Sequence, residues 1–178
     1  MDYLALLYRY YPEDNALRRM LLHHSRQVCT RALQIVDRHP ELGANRTLVE
    51  AGAMLHDIGI FRTDAPGIHC HGTAHYLLHG IIGAQLLREE AELLRQKAEH
   101  EGRTSSQQEE DIAQRGLPMP DQDLLPETIE EQIICYADKF YSKSHLERER
   151  SIAQTIASLE KFGDAGVEKF RCWTELFE

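Results

Sequence analysis

The chain has 178 residues, 42% hydrophobic and 28% charged, the balance of an ordinary globular domain with length for a sizeable core. Its formal net charge of −9 argues against broad nucleic-acid binding, and no stretch is long and apolar enough to span a membrane. Four widely spaced cysteines without a C-x-x-C pair, and an opening "MDYLALLYRYYPEDN" without a signal-peptide pattern, exclude a disulfide scaffold and make a reducing cytoplasm the simplest location.

Residues 15–39 show amphipathic helical spacing, begin after "PEDN" and stop before Pro40, which disfavours helix at the residue preceding it. "NRTLVEAGAMLHDIG" predicts a second helix, with Asn45 or Thr47 as cap, Glu50 placed as in a capping box, and Gly59 as stop. "FRTDAPGIHCHGT" reads as a loop by its Pro and Gly content, and helical spacing resumes over 73–100. "RTSSQQEEDIAQRG" predicts a loop and a short helix ended by Gly116, and "LPMPDQDLLP" a connector. After Pro126, "ETIEEQIICYADKFYSK" has acidic residues in its first turn, a strong helix start. Residues 145–162 and 164–177 predict two further helices separated by Gly163. No alternating strand pattern of useful length and no repeat appears. The expectation is a single all-α domain over residues 1–178, a compact helical bundle.

Within this frame "MLHDIGI", residues 54–60, sets His56 and Asp57 side by side among apolar residues, where an unpaired charge would be costly to bury. Neighbours on a helix diverge by about 100°, but the turn can loosen just before Gly59 and let both converge. On the first long helix, His24 projects onto the edge of the apolar face, whereas His23 points away among Arg19 and Gln27. A core-edge histidine bonded to a carbonyl and a ligand meeting another helix are both open for His24. Asp138 lies at the margin of the stripe Ile129, Ile133, Ile134, Ala137, Phe140 and Tyr141, as a salt-bridge partner, a cap or a metal ligand. Lys139 turns to another side of that helix. Histidine nitrogen and carboxylate oxygen together suit manganese, iron, zinc or magnesium better than soft-ligand metals.

In "HSRQV…AL" from His24, "AGAMLHDIGI", "HGIIGAQLL" from His79 and "IICYADKF" with Asp138, the sequence resembles the HD superfamily of metal-dependent phosphohydrolases. The subgroup is the one whose paired motif reads H-D-I-G, and the likeness covers roughly residues 20–143, leaving the helices within 145–177 outside it. The resemblance implies a helical bundle with a central metal held by His24, His56, Asp57 and Asp138. Some subgroups hold two ions, those hydrolysing diadenosine tetraphosphate among them; His79 matches the first additional ligand position and His100 the second, although the loop after His100 departs from the pattern. The implied cofactor is thus one or two divalent ions, iron or manganese favoured, with magnesium, zinc, cobalt or nickel also compatible. Such an ion acidifies a coordinated water and polarises a phosphoryl oxygen, so Asp57 and His56 are the expected catalytic pair, His56 as a ligand. Arg31 and Arg62 are candidates for the developing phosphoryl charge, and His69, His71 and His75 are left without assigned roles. The expected substrate is a small phosphorylated compound, a nucleotide before others, with a dinucleoside polyphosphate as one alternative and a non-catalytic metal- or nucleotide-binding module as another. The C-terminal helices are expected to pack on the core or on a second copy in a homo-oligomer.

Overall fold

The computed structural model describes residues 2–100 and 126–178, with side chains omitted for 95–100. Asp2 accepts the Ala5 amide hydrogen and opens α1 (Tyr3–Tyr10), and Asn15 does the same for Arg18 at the start of α2 (Ala16–Arg38). These side chains satisfy amide groups that the first helical turn leaves unpaired. Helix α3 (Arg46–Leu55) is capped by Asn45 through the Leu48 amide, so of the two expected caps Asn45 is used, and Glu50 instead accepts from the Tyr3 hydroxyl. Helix α4 spans His79–His100. In α5 (Ile129–Asp138) Thr128 and Glu131 form a capping box, and Ser151 and Gln154 form another for α6 (Ile152–Leu159). The last helix, α7, is Asp164–Phe177.

Helices α2, α3 and α5 pack pairwise against one another. Their contact is dry: Leu21, Val28, Ala32 and Ile35 from α2, Val49 and Ala53 from α3, and Ile133 and Ala137 from α5 are all buried. Helix α7 closes one side with Phe170, Trp173 and Phe177, and Tyr136 of α5 stacks on Phe170 with ring centroids 4.9 Å apart. The C-terminal helix therefore packs on this chain's own core.

Three expectations change. A small sheet forms in the order β2-β1-β3: β1 (Thr63–Ala65) and β2 (Cys70–His71), antiparallel to each other, lie in the segment read as a loop, whereas β3 (Ala74–His75), parallel to β1, falls where helical spacing over 73–100 predicts helix, and α4 starts only at His79. Strands of two or three residues are too short to show the two-residue alternation by which strands are recognised. The helix expected over 145–162 begins only after Ser151; Ser142 and His145 form an isolated bridge, and the Arg150 amide returns to the Phe140 carbonyl. The short helix expected near Ser105–Gly116 lies outside the described residues. The fold is otherwise helical, as its sequence spacing predicts.

Candidate metal centre

Helix α3 ends at Leu55, one residue before the His-Asp pair, and His56 to Gly59 pass through turns. Leaving the helix there removes the angular conflict between neighbours, so His56 and Asp57 face one point. Gly59 has an ordinary φ of −82° and does not stop the helix by adopting a left-handed conformation. Its hydrogen instead permits close approach of α4, since a Cβ there would lie 2.3 Å from the His79 carbonyl oxygen and 2.5 Å from the Gly83 nitrogen. That contact brings the first turn of α4, and with it His79, against the pair.

His24 of α2 and Asp57 are fully buried. The His24 Nε2 lies 3.3 Å from Asp57 Oδ2 and 3.1 Å from Asp138 Oδ1. His56 Nε2 lies 3.2 Å and 3.6 Å from the same two oxygens, and His79 Nε2 is 3.4 Å from Asp57 Oδ1. Close as these atoms are, His24 Nε2, His56 Nε2 and both Asp57 oxygens are buried without a hydrogen bond of acceptable direction. Buried polar atoms are normally satisfied. Atoms that crowd together while failing to point at one another are aimed at a shared centre, as ligands of one cation are. One atom each from His24, His56 and Asp57 can be chosen so that all lie within 4.8 Å of one another, and nitrogen with carboxylate oxygen is a donor set for a divalent transition ion. The residues fit the group.

The outer nitrogens of His56 and His79 carry the same message, whereas His24 Nδ1 is buried without a hydrogen-bond partner. His56 Nδ1 donates to the Ala53 carbonyl at 2.8 Å, and His79 Nδ1 to the Tyr76 carbonyl at 2.6 Å. Each bond fixes a hydrogen on Nδ1 and turns Nε2 inward, so that Nε2 is the atom each ring would present to a cation once unprotonated, the usual way a protein orients an imidazole ligand. Backbone carbonyls, and not carboxylates, fill this role for both rings.

Lys143, which the sequence did not single out, brings its Nζ to 2.7 Å from Asp57 Oδ2 with its side chain only 13% exposed. Lys139 Nζ lies 3.4 Å from Asp138 Oδ2, against the expectation that it turns away; Asp138 ends α5, and the longer lysine side chain reaches back. Burial pushes both carboxyls up, but their neighbours hold them well below the usual range: His56 and Lys143 for Asp57, and His24, His56 and Lys139 for Asp138. Burial likewise lowers His56, yet Asp57 and Asp138 raise it to about 10.

A family model described as the HD domain matches residues 21–142, a span that contains His24, His56, Asp57, His79 and Asp138. The chain belongs to the HD-domain family. Among curated proteins, it is 34% identical over 177 residues to a tRNA (cytidine(56)-2'-O)-methyltransferase of Thermoplasma volcanium, covering 89% of this chain and 45% of that protein. A protein of the same name from Picrophilus torridus is 33% identical over 130 residues, 71% of this chain and 33% of that one. An uncharacterized protein of Methanocaldococcus jannaschii is 39% identical over 93 residues, 51% of this chain and 47% of that one. The chain thus spans less than half the length of these curated relatives. No solved structure matches the chain.

The structure brings His24, His56, Asp57, His79 and Asp138 together. The side chain of His100 lies outside those described. Arg31 is committed elsewhere: its guanidinium pairs with Glu149 and Glu178 and lies 3.5 Å from the Phe140 ring centroid. Arg62 is exposed and packs beside Phe61, 5.6 Å from its ring centroid. His75 caps the turn before α4 by accepting the Leu77 amide, and His69 and His71 are exposed.

Proposed function

We propose that this HD domain is a metal-dependent phosphohydrolase that cleaves a phosphate ester or anhydride, with a nucleotide as the favoured substrate. The observation that carries it is the set of buried Nε2 and Oδ atoms of His24, His56 and Asp57, in mutual contact yet without directed hydrogen bonds. His24, His56, Asp57 and Asp138 would hold the first ion, and His79, with His100 as the sixth candidate, a second. When bound, a divalent ion of this kind, iron or manganese before others, supplies an acidified water and a Lewis acid for a phosphoryl oxygen. The chain's own residues set the geometry: the Ala53 and Tyr76 carbonyls hold the two imidazoles in their inward tautomer, and Asp57 faces both His24 and His79 through different oxygens. Lys143 adds a fixed positive charge on the Asp57 side of the cluster, where phosphoryl oxygens need one.

A small cleft of about 300 Å³ beside Asp138 is lined by Tyr141 and Phe162. Phe162 is 78% exposed, an aromatic ring of the kind on which a nucleobase stacks, with Lys161 Nζ 5.0 Å from its centroid. This supports a nucleotide over a simple phosphate ester. A dinucleoside polyphosphate is the alternative favoured by His79.

The names of two relatives raise a second activity, methyl transfer to tRNA. Because the match covers less than half of those proteins, and because convergent carboxylate and imidazole lone pairs suit a metal cation, hydrolysis is the better account of this domain. Hydrolysis of a nucleotide panel with added manganese, iron, magnesium or cobalt tests it, with S-adenosylmethionine binding measured alongside. Metal-dependent turnover that Asp57→Ala abolishes supports the hydrolase. Saturable S-adenosylmethionine binding with no hydrolysis overturns it, and metal binding without turnover indicates a non-catalytic module.

A further inference from the structure

The three short strands that follow the His-Asp pair bring together a second set of ligand types, none of them part of the buried centre. Asp64 of β1 pairs in register with His71 of β2 on one side and with His75 of β3 on the other. Residues paired across neighbouring strands point to the same face of a sheet, and successive residues of a strand to opposite faces. Burial follows that rule here. Thr63 of β1 and Cys70 of β2 are buried, whereas Asp64, His71 and His75 are all exposed. The solvent face of the sheet therefore carries one carboxylate between two imidazoles.

The backbone fixes this placement. Between β2 and β3 the Gly72 amide donates to the Thr63 carbonyl at 2.8 Å, and the Thr73 amide to the Arg62 carbonyl at 3.1 Å. A Cβ on Gly72 would lie 2.1 Å from the Arg62 carbonyl carbon, so glycine is what lets the chain pass this close to β1. The turn from β1 to β2 ends on His69 at φ +64°, a conformation uncommon outside glycine that persists where surrounding structure holds it. The side chains above this frame are mostly uncommitted. Among the described residues, Asp64 and His71 take no side-chain hydrogen bond or ion pair. His75 engages Nδ1 with the Leu77 amide at 3.3 Å, which leaves Nε2 as the atom it can offer.

We infer that Asp64, His71 and His75 form a surface site for a divalent transition ion of the zinc, nickel or copper class. The inference shares no residue with the buried centre and does not depend on the proposed activity. Neighbouring strands lie about 4.8 Å apart, so the two histidine positions are separated by roughly 9.5 Å with Asp64 midway. The long imidazoles lean in from both sides and the short carboxylate reaches up from the middle, so the three meet above β1. Their ligand atoms are not already gathered as those of His24, His56 and Asp57 are. Exposed side chains exchange rotamers rapidly, and an ion gathers these three without moving the backbone. Two imidazole nitrogens and one carboxylate oxygen, with water completing the shell, are a donor set that zinc takes. Manganese is the weakest binder in the divalent series and copper the strongest, so an exposed three-ligand site selects the later ions. Strand β3 leads through Tyr76–Leu78 into His79 and α4. An ion here therefore ties down the segment that joins the His-Asp pair to His79.

The test is equilibrium dialysis of zinc chloride against the full chain without an affinity tag, with bound zinc read by elemental analysis. Asp64→Asn and His71→Ala alter exposed side chains and leave the buried centre as it is; His145→Ala, an exposed histidine outside the sheet, is the control. At micromolar free zinc the expected result is one zinc fewer per chain in the Asp64→Asn, His71→Ala double variant than in wild type, and no change in the control. An equal zinc count in wild type and double variant overturns the inference. Imidazole NMR of the full chain during the zinc titration is the second measurement. The ring signals of His71 and His75 should shift together in wild type and stay in place in Asp64→Asn, His71→Ala for the remaining His75 ring. A shift of His71 without His75, or a His75 shift that persists in the double variant, overturns the site.

Discussion

Lys143→Met isolates the cation nearest the cluster while keeping an unbranched chain to fill the same space. The Nζ lies 2.7 Å from Asp57 Oδ2, with side chains 13% and 0% exposed. At an effective dielectric of about 20, the attraction at that separation is on the order of 6 kcal/mol before desolvation is subtracted. Removing one partner of a buried pair typically costs about 3–5 kcal/mol, because the other charge stays behind. Asp57 keeps His24 and His56 as neighbours, so the lower end, about 3 kcal/mol, is expected for the metal-free protein. For a domain of this size that lowers Tm by roughly 6–12 °C. A divalent ion brings positive charge to the same carboxylate, so manganese should restore most of the loss and raise Tm more in the variant than in wild type. Thermal unfolding of both proteins, first after chelator dialysis and then with manganese, measures it. Equal metal-free Tm values would refute the reasoning, since they would mean that the contact carries no net energy.

Gly59→Ala should strongly destabilise the fold, because the added Cβ meets backbone atoms of α4 at 2.3 and 2.5 Å that cannot rotate away; a Tm unchanged from wild type would contradict the close approach. Metal-free stability should fall between about pH 6.5 and 10, because a His56 raised to about 10 stabilises fully below its unfolded value and loses that contribution as pH rises through the folded one. On the acid side the lowered Asp57 and Asp138 carboxyls stabilise above their unfolded values, and that contribution disappears as pH falls through the folded ones; Tm measured with chelator across pH 3–10 checks both arms. Metal affinity should rise over the alkaline span in which the free protein weakens, since a ligating imidazole must be unprotonated, and isothermal titration at two pH values shows the sign. Arg31→Gln should lower Tm by removing the link to Glu149 and Glu178 while leaving turnover per folded molecule intact; a lost kcat at unchanged Tm would instead return Arg31 to the substrate.

The helical frame was legible because each helix repeats its apolar residues over several turns. The run 164–177 coincides with α7, and 15–39 differs from α2 by one residue at each end. The same wheel separated buried His24 from exposed His23, since adjacent positions differ by about 100°. What the sequence did not show depends on contacts between distant segments. The turn that lets the chain double back after α5 brings Lys143 to Asp57, and nothing in "SKSH" marks that return. Gly59 was recognisable as important, but its role in admitting α4 depends on His79 and Gly83, which lie some twenty residues further along. The strands at 63–75 escaped notice for a different reason, being shorter than the pattern that reveals strands.

The most direct test of the metal centre is elemental analysis of purified wild type and Asp57→Ala after loading with manganese and removal of free ion. The account predicts at least one tightly held ion per wild-type chain and almost none in the variant, with a second ion, if present, lost on His79→Ala. A wild-type chain that retains no divalent ion, or an Asp57→Ala chain that retains as much, would contradict it.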